Sequence, residues 1–525
     1  MCMKKRLFLY ALLAGLPFLA LSCGEKPDPK PDPAPAPTAI TLSMESVSLP
    51  AAAAEARTLT VTAPFRPVVS GVPAWIEWKD GVYDNYKISY SFSVSENTTY
   101  VERSAEIILR SGALYKTFTV TQEAAEAPQT NVYPTPGTNR AWKMMEALGP
   151  GWNLGNQLDA YINWESDRRD YPDETCWGNQ KATQATFDGV KAAGFKSVRI
   201  PVSWLRTIGP APDYKIEQTW MKRVAEVVGY AHNAGLQVIV NTHHDENHGS
   251  DTHWLDIKNA AKDAALNATI KDEIKAVWTQ IAEQFKDCGD WLILEGFNEL
   301  NDGGWGWSAD FRADPTRQCN ILNEWNQVFV DAVRATGGNN ATRWLGVPTY
   351  AANSDFTTYL TIPSDPAGKT MISVHYYDPS DYTLGEPQYD EWGHTGTPGK
   401  KAPNGDEDRV REAFGKLWKN YVDKDIPVYV GEYGASMRRK SNTRAWAFYK
   451  YYMEYVSKAA KTYGLPCFLW DNGAGGEGQE QHGYFNHATG IPMGNAQEVL
   501  DVIIKAWTKD SASYTLDTVY ATAPR

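Results

Sequence analysis

Residues 292–300 read LILEGFNEL, an apolar run with a glutamate at its fourth position and Asn298 and Glu299 near its end. A strand buried on both faces is apolar along its length, because an uncompensated charge in a low-dielectric interior is costly or neutralises itself. Asn298 and Glu299 therefore either sit where a strand leaves the core or do a job there, and Glu295, of the same parity, poses the same question deeper in the strand. The pattern recurs in GWNLGNQL (151–158), SVRIPVSW (197–204), QVIVNTHH (237–244), TRWLGVPTY (342–350), MISVHYY (371–377), PVYVGEYG (427–434) and CFLWDNG (467–473). Between most of these runs lie amphipathic helices. Trp220, Val224, Val227 and Ala231 keep helical spacing, as do Ile274, Val277, Trp278, Ile281 and Phe285, and Gly194 and Gly235 fall where helices stop. Eight such units over roughly 390 residues predict a (β/α)8 barrel with enlarged loops. A doubly wound sheet ranks behind it, since no GxGxxG follows the first run.

In such a barrel the reactive groups stand at the C-terminal ends of the strands. Those ends carry Asn156, Arg199, His243, Asn298, Glu299, His375, Tyr377, Glu432 and Trp470. Two glutamates facing each other across a cleft are what glycoside hydrolysis requires: one protonates the departing oxygen, the other attacks the anomeric carbon or activates water. Arg199 is the expected partner of Glu295, a structural pairing. A rival reading rests on THHDENHGSDTH (242–253), whose His243, His244, Asp245, Glu246, His248 and His253 are potential metal ligands. The run lacks HExxH, and a polar loop at the cleft edge is expected instead, with no metal and no cofactor.

The pieces GWNLGN, RIPVSW, NTHH, FNE, VHYYDP, VGEYG and the Trp of FLWDNG appear in the order seen in glycoside hydrolase family 5, which this chain resembles over nearly all of residues 140–475. The resemblance implies a retaining double displacement with Glu299 as acid/base and Glu432 as nucleophile. It places Arg199, His243, Asn298, His375, Tyr377 and Trp470 on the family's supporting positions. Asn298 would bind the sugar 2-hydroxyl, and Trp470 would floor the adjoining subsite. Glu299 must begin the reaction protonated, so its pKa is expected to be raised. Leu300 departs from the proline many members carry there. Within the family the chain looks most like endo-acting enzymes on β-1,4-glucan backbones, with xyloglucan first, mixed-linkage glucan or cellulose next, and mannan or xylan as alternatives. A different class of reading is a surface glycan-binding protein with an inactive barrel. Trp164, Trp177, Trp254, Trp305, Trp307 and Trp392 fall in expected loops as candidate subsite rings.

Ahead of the barrel the pattern changes. Lys4, Lys5 and Arg6 precede an apolar stretch from Leu7 to Leu21, the layout of an export signal over residues 1–22. ALSC followed by Gly24 resembles a bacterial lipoprotein site with Cys23 lipidated, and GEKPDPKPD resembles the export signal of Bacteroidetes surface lipoproteins. The expected location is the outer-membrane surface. Ala20 stands where the lipoprotein pattern prefers Leu, so a periplasmic or secreted protein remains the alternative. Every second residue from Pro27 to Pro37 is proline, a semi-rigid spacer within a linker of residues 23–39. Residues 40–124 read as strands without helical periodicity: YKISYSFSVS puts Tyr86, Ile88, Tyr90, Phe92 and Val94 on one face, which predicts a small antiparallel, immunoglobulin-like sandwich. PAWIEW, ERSAEIILRSG and TFTVTQEA resemble the BACON domain, whose name implies carbohydrate binding. A plain spacer is the competing role, and Trp75 and Trp78 are expected to pack into its core. A second linker spans 125–136, and the barrel domain spans 137–525.

The totals are consistent with this. The chain has 525 residues, 42% apolar and 22% charged, with 20 Trp and 28 Tyr, rings that also suit stacking on sugars. A net charge of −12 argues against nucleic acid and anionic membrane as partners. A monomer is expected. Cys176, Cys288, Cys319 and Cys467 contain no CxxC pair, leaving disulfides or separate thiols open.

Overall fold

The structure is a computed structural model that describes residues 35–97, 102–123, 132–250, 252–385, 388–511 and 513–525. The expected signal at 1–22, Cys23 and most of the linker at 23–39 lie outside the described residues, as does most of the second linker. Two compact units divide after Thr130.

The N-terminal unit is a sandwich of two four-stranded sheets. One orders Thr41–Leu42, Ala54–Thr62, Lys87–Val94 and Ile76–Lys79; the other orders Ser46–Leu49, Leu114–Gln122, Arg103–Ser111 and Val68–Ser70. Period-two alternation builds its core: Ile88, Tyr90, Phe92 and Val94 are buried and meet Leu59, Val61, Ile107, Leu109, Phe118 and Val120. Two expectations need correcting. Tyr86 leaves the strand face, because its φ of 64° turns the chain before Lys87. Ser46–Leu49 pairs with Leu114–Gln122 in parallel, not antiparallel. Trp75 and Trp78 pack against this core as expected, Trp78 lying stacked on Phe92 at 5.7 Å.

The second unit is a closed eight-stranded parallel barrel. Its strands are β1 (Gly151–Asn153), β2 (Ser197–Ile200), β3 (Gln237–Asn241), β4 (Leu292–Glu295), β5 (Leu345–Asn353), β6 (Thr370–Tyr376), β7 (Val428–Tyr433) and β8 (Cys467–Leu469). Each overlaps one of the eight expected runs; β5 continues three residues past its run, while the others stop short of the run's end, so most polar tails become loops. Outward-facing Val238, Val240, Leu292 and Leu294 join the main core with the helical faces read above, including Ile274, Val277, Trp278 and Ile281. Inward-facing side chains form layers. Ile239, Ile293, Met371, Tyr429 and Phe468 make an apolar plug at the bottom. Two residues further along the same strands come Asn241, Glu295 and Ser373, and Arg199, the register partner of Asn153, reaches Glu295. The interior thus passes from oil to charge toward the C-terminal face. Cys176, Cys288, Cys319 and Cys467 are all free thiols.

Candidate active site

Arg199 on β2 organises the site from below. It is fully buried, as is Glu295, and its Nε donates to Glu295 Oε2 at 2.7 Å. Its Nη1 donates to Glu432 Oε1 at 2.8 Å and to Asn153 Oδ1 at 3.1 Å, and its Nη2 donates to Asn298 Oδ1 at 2.8 Å. Burial works against the guanidinium charge, but Glu295 and Glu432 outweigh it and push its pKa up. Glu295 also accepts from Ser373 Oγ and from Tyr429 OH at 2.9 Å, so both oxygens of this deep carboxylate are hydrogen-bonded. This is the answer to the glutamate in LILE: it anchors the arginine that in turn holds Glu432 and Asn298.

Above this layer opens a cleft of about 930 Å³ whose lining includes Asn298, Glu299, His375, Tyr377, Glu432 and Trp470. His243 also lines it. His375 and Glu432 are register partners across β6 and β7, where the ladder shifts, and both line the cleft. Tyr377 OH donates to Glu432 Oε2 at 3.0 Å, and burial beside two carboxylates keeps that phenol protonated far above its usual range. His375 Nδ1 lies 2.6 Å from Glu299 Oε1 and 3.6 Å from Glu432 Oε2. Polar atoms of Glu299, His375 and Glu432 all fall within 4.8 Å of one another.

The expected rise of the Glu299 pKa is corrected by the structure. Burial raises it, but the bond and charge of His375, then Trp305 and Arg199, hold it below the ordinary carboxylate value. Burial lowers His375, while Glu432 and Glu299 raise it above an ordinary imidazole. One short bond joins the two groups, so the charge of each favours the charge of the other. A proton on Nδ1 passes to Oε1 along a bond whose heavy atoms are 2.6 Å apart.

Trp470 directly follows β8 and faces His243 at 5.9 Å with planes 5° apart. Burial first, then the neighbouring cations, holds His243 well below the usual histidine pKa, so it is neutral. Gly155 is needed beside them: a Cβ there would sit 2.7 Å from the Trp470 ring and 2.9 Å from the Asp471 carbonyl. Asn156 stands apart from its expected place. It is not among the cleft-lining residues; its φ is 52°, its N–H is held by Asp159, and its carbonyl accepts from Asn179. β1 ends three residues earlier than the run GWNLGN suggests, and Asn153 does the inward-facing work.

The histidine-rich loop does not converge on one point. Only His243 and His244, with Asp159, bring potential ligand atoms within 4.8 Å among the described residues. Asp159 already accepts two backbone N–H groups, and burial raises its pKa. His244 is depressed by burial but pushed up to about 9 by Glu246, Asp159 and Glu432, which makes it cationic at neutral pH and a poor metal ligand. His253 Nδ1 meets the Glu246 carbonyl instead.

The sequence reading missed Asn153, Ser373, Tyr429 and the outer wall of the cleft, where Arg409 bridges Asp355 and Asp378. Strand parity could have found Ser373, two residues before His375 on the same face. Of the six loop tryptophans, Trp305 and Trp307 line the cleft. Trp392 is fully buried among Tyr451, Tyr452 and Tyr455 and is no subsite.

Comparison with known proteins identifies the family. Residues 167–476 match the family described as Cellulase (glycosyl hydrolase family 5), and residues 71–123 match BACON, a putative N-terminal binding domain. Endoglucanase A of Paenibacillus barcinonensis is 38% identical over 351 residues, 64% of this chain and 82% of that protein. The xyloglucan-specific endo-β-1,4-glucanase of Bacteroides ovatus is 33% identical over 402 residues, 73% of this chain and 76% of that one. A solved broad specificity endoglucanase from Bacteroides salanitronis superposes with a TM-score of 0.67 at 48% identity, covering 73% of this chain and all of that one. The chain therefore belongs to glycoside hydrolase family 5, with a BACON domain ahead of its barrel.

Proposed function

We propose that this protein is a retaining endo-β-1,4-glucanase in which Glu432 attacks and Glu299 moves the proton. One observation carries the reading: a carboxylate oxygen of Glu299 lies within 4.8 Å of one of Glu432. Retaining glycosidases hold their carboxyl groups roughly 5–5.5 Å apart, whereas inverting ones need about 6.5–9.5 Å to admit a water. A Glu432 oxygen bonds to the anomeric carbon while the glycosidic C–O bond breaks, and the departing oxygen takes the proton that the Glu299–His375 pair holds. Water then attacks the same carbon, Glu299 takes its proton, and Glu432 leaves. Arg199 and Tyr377 aim the nucleophile, and neutral His243 supports the Trp470 floor.

Xyloglucan is the first substrate in this reading, with mixed-linkage glucan and cellulose next. An open cleft with exposed Trp305 and Trp307, 51% and 75% accessible, suits a branched chain, and the Bacteroides ovatus relative acts on xyloglucan by name. Reducing ends released from xyloglucan, mixed-linkage glucan, carboxymethylcellulose, mannan and xylan test it, with Glu432→Gln as control. Release from a β-glucan that disappears in Glu432→Gln supports the proposal. Binding without release by the intact protein would replace it with the glycan-binding reading.

We also infer an outer-membrane surface lipoprotein anchored through Cys23, supported by the basic and apolar leader and the ALSC–Gly24 junction. Labelled fatty acid incorporated by the wild-type protein and lost in Cys23→Ala is the expected result. Labelling that survives the substitution would refute the anchor.

A further inference from the structure

Trp305 stands out among the cleft residues that the mechanism above does not use. It is a bulky residue at φ 45°, a left-handed conformation that side chains with a Cβ seldom adopt. The loop around it is built to hold it there. Asn301 Oδ1 accepts from the N–H of Gly303 at 2.8 Å and of Trp305 itself at 3.2 Å, while Asn301 Nδ2 donates to the Glu299 carbonyl at 2.7 Å. Asp302 accepts from the Gly304 N–H, Ser308 Oγ and Gln318 Nε2, and its own N–H donates to Tyr350 OH at 2.9 Å. Gly306, at φ 87°, closes the loop against Phe356, where a Cβ would stand 2.4 Å from the ring. A turn fastened at this many points to hold one strained tryptophan points to a task for the indole.

The indole Nε1–H donates to Glu299 Oε2 at 3.4 Å, while His375 occupies Oε1. We propose that Trp305 is a positioning residue for proton transfer: its N–H holds one oxygen of Glu299 so that the other keeps its short bond to His375. The inference rests on the retaining-hydrolase reading of Glu299. The ring is half exposed on the cleft wall, so a sugar seated against it would strip water from the N–H···carboxylate bond and strengthen it. Arrival of substrate and alignment of the acid would then be linked. Glu299 is also faced by Arg199 from β2, by His375 and Tyr377 from β6 and its loop, and by Glu432 from β7. All of these remain in place when only the indole N–H is removed.

Trp305→Phe keeps an aromatic ring and deletes the donor; Trp305→Ala removes both. A donor to the carboxylate favours its charged form, so losing it raises the pKa of the Glu299–His375 pair. The alkaline limb of kcat/KM on a cello- or xylogluco-oligosaccharide should move up by about half a pH unit in Trp305→Phe, and the rate on the neutral plateau should fall about tenfold. With an activated aryl β-cellobioside, whose phenolate departs without a proton, the Trp305→Phe rate for glycosyl-enzyme formation should stay within about twofold of wild type. A purely structural role would lower both substrates alike and leave the pH limb fixed. If the Trp305→Phe profile superposes on wild type, or both substrates fall together, the positioning role is overturned. If wild type itself hydrolyses nothing, the hydrolase reading has failed instead. A melting temperature matching wild type confirms that Trp305→Phe is folded.

Discussion

Arg199→Lys tests whether the buried guanidinium is what aims the nucleophile. The substitution keeps the positive charge and loses the fork. Arginine reaches Glu295, Asn153, Glu432 and Asn298 from three separate nitrogens. An ammonium offers three donors from a single point and cannot span that set. Glu295 is fully buried, whereas Glu432 is 8% exposed at its side chain and keeps Tyr377, so the shorter cation is drawn to the deeper carboxylate. Glu432 and Asn298 then lose the bonds that Arg199 supplied. A hydrogen bond to a charged group is worth about 1.5–3 kcal/mol. Loss of the one to Glu432 alone therefore predicts a fall of about 10- to 150-fold in its attack. The assay is kcat/KM on an activated aryl β-cellobioside, where proton donation is not needed and attack by Glu432 is isolated. Fold integrity is followed by near-ultraviolet circular dichroism. A folded Arg199→Lys enzyme within about threefold of wild type would refute the argument that the arginine's geometry, and not merely its charge, prepares Glu432.

Three further outcomes are expected. Gly155→Ala pushes a methyl into the Trp470 ring, so KM for oligosaccharides should rise about three- to tenfold with kcat less affected; an unchanged KM would remove Trp470 from the binding floor. Burial raises the pKa of Asp365, but its paired bonds to Arg334 at 2.8 Å outweigh this and pull it down to about 2. Its contribution is present above the unfolded value and is lost as pH falls toward about 2, so Asp365→Asn should cost about 2 kcal/mol at pH 7 and progressively less in acid; equal destabilisation at both ends, read by thermal midpoint, would contradict the linkage. Deleting residues 40–124 should leave turnover of soluble glucan unchanged, since the barrel unit has its own core; loss of turnover in a folded deletion would give the sandwich a role in substrate capture.

By itself the sequence determined the barrel, because eight apolar runs with polar ends and intervening helical periodicity admit few other packings. It also determined that Glu295 needed a cation, since the cost of burying a lone charge exceeds any propensity, and Arg199 met that need. What it could not determine was where each strand stops. Residues just past a strand end keep the strand's composition, so Asn156 read as a cleft residue while the barrel used Asn153. Nor could it place proton ownership. The relation of His375 to Glu299 depends on a 2.6 Å contact between residues 76 positions apart, and whether that contact outweighs burial depends on distances that only the closed barrel sets. The tryptophans make the same point: six looked alike along the chain, but Trp392 lies in the core and Trp305 beside the acid. Periodicity is local and survives in one dimension, whereas charge balance and ring placement depend on neighbours that only tertiary closure supplies.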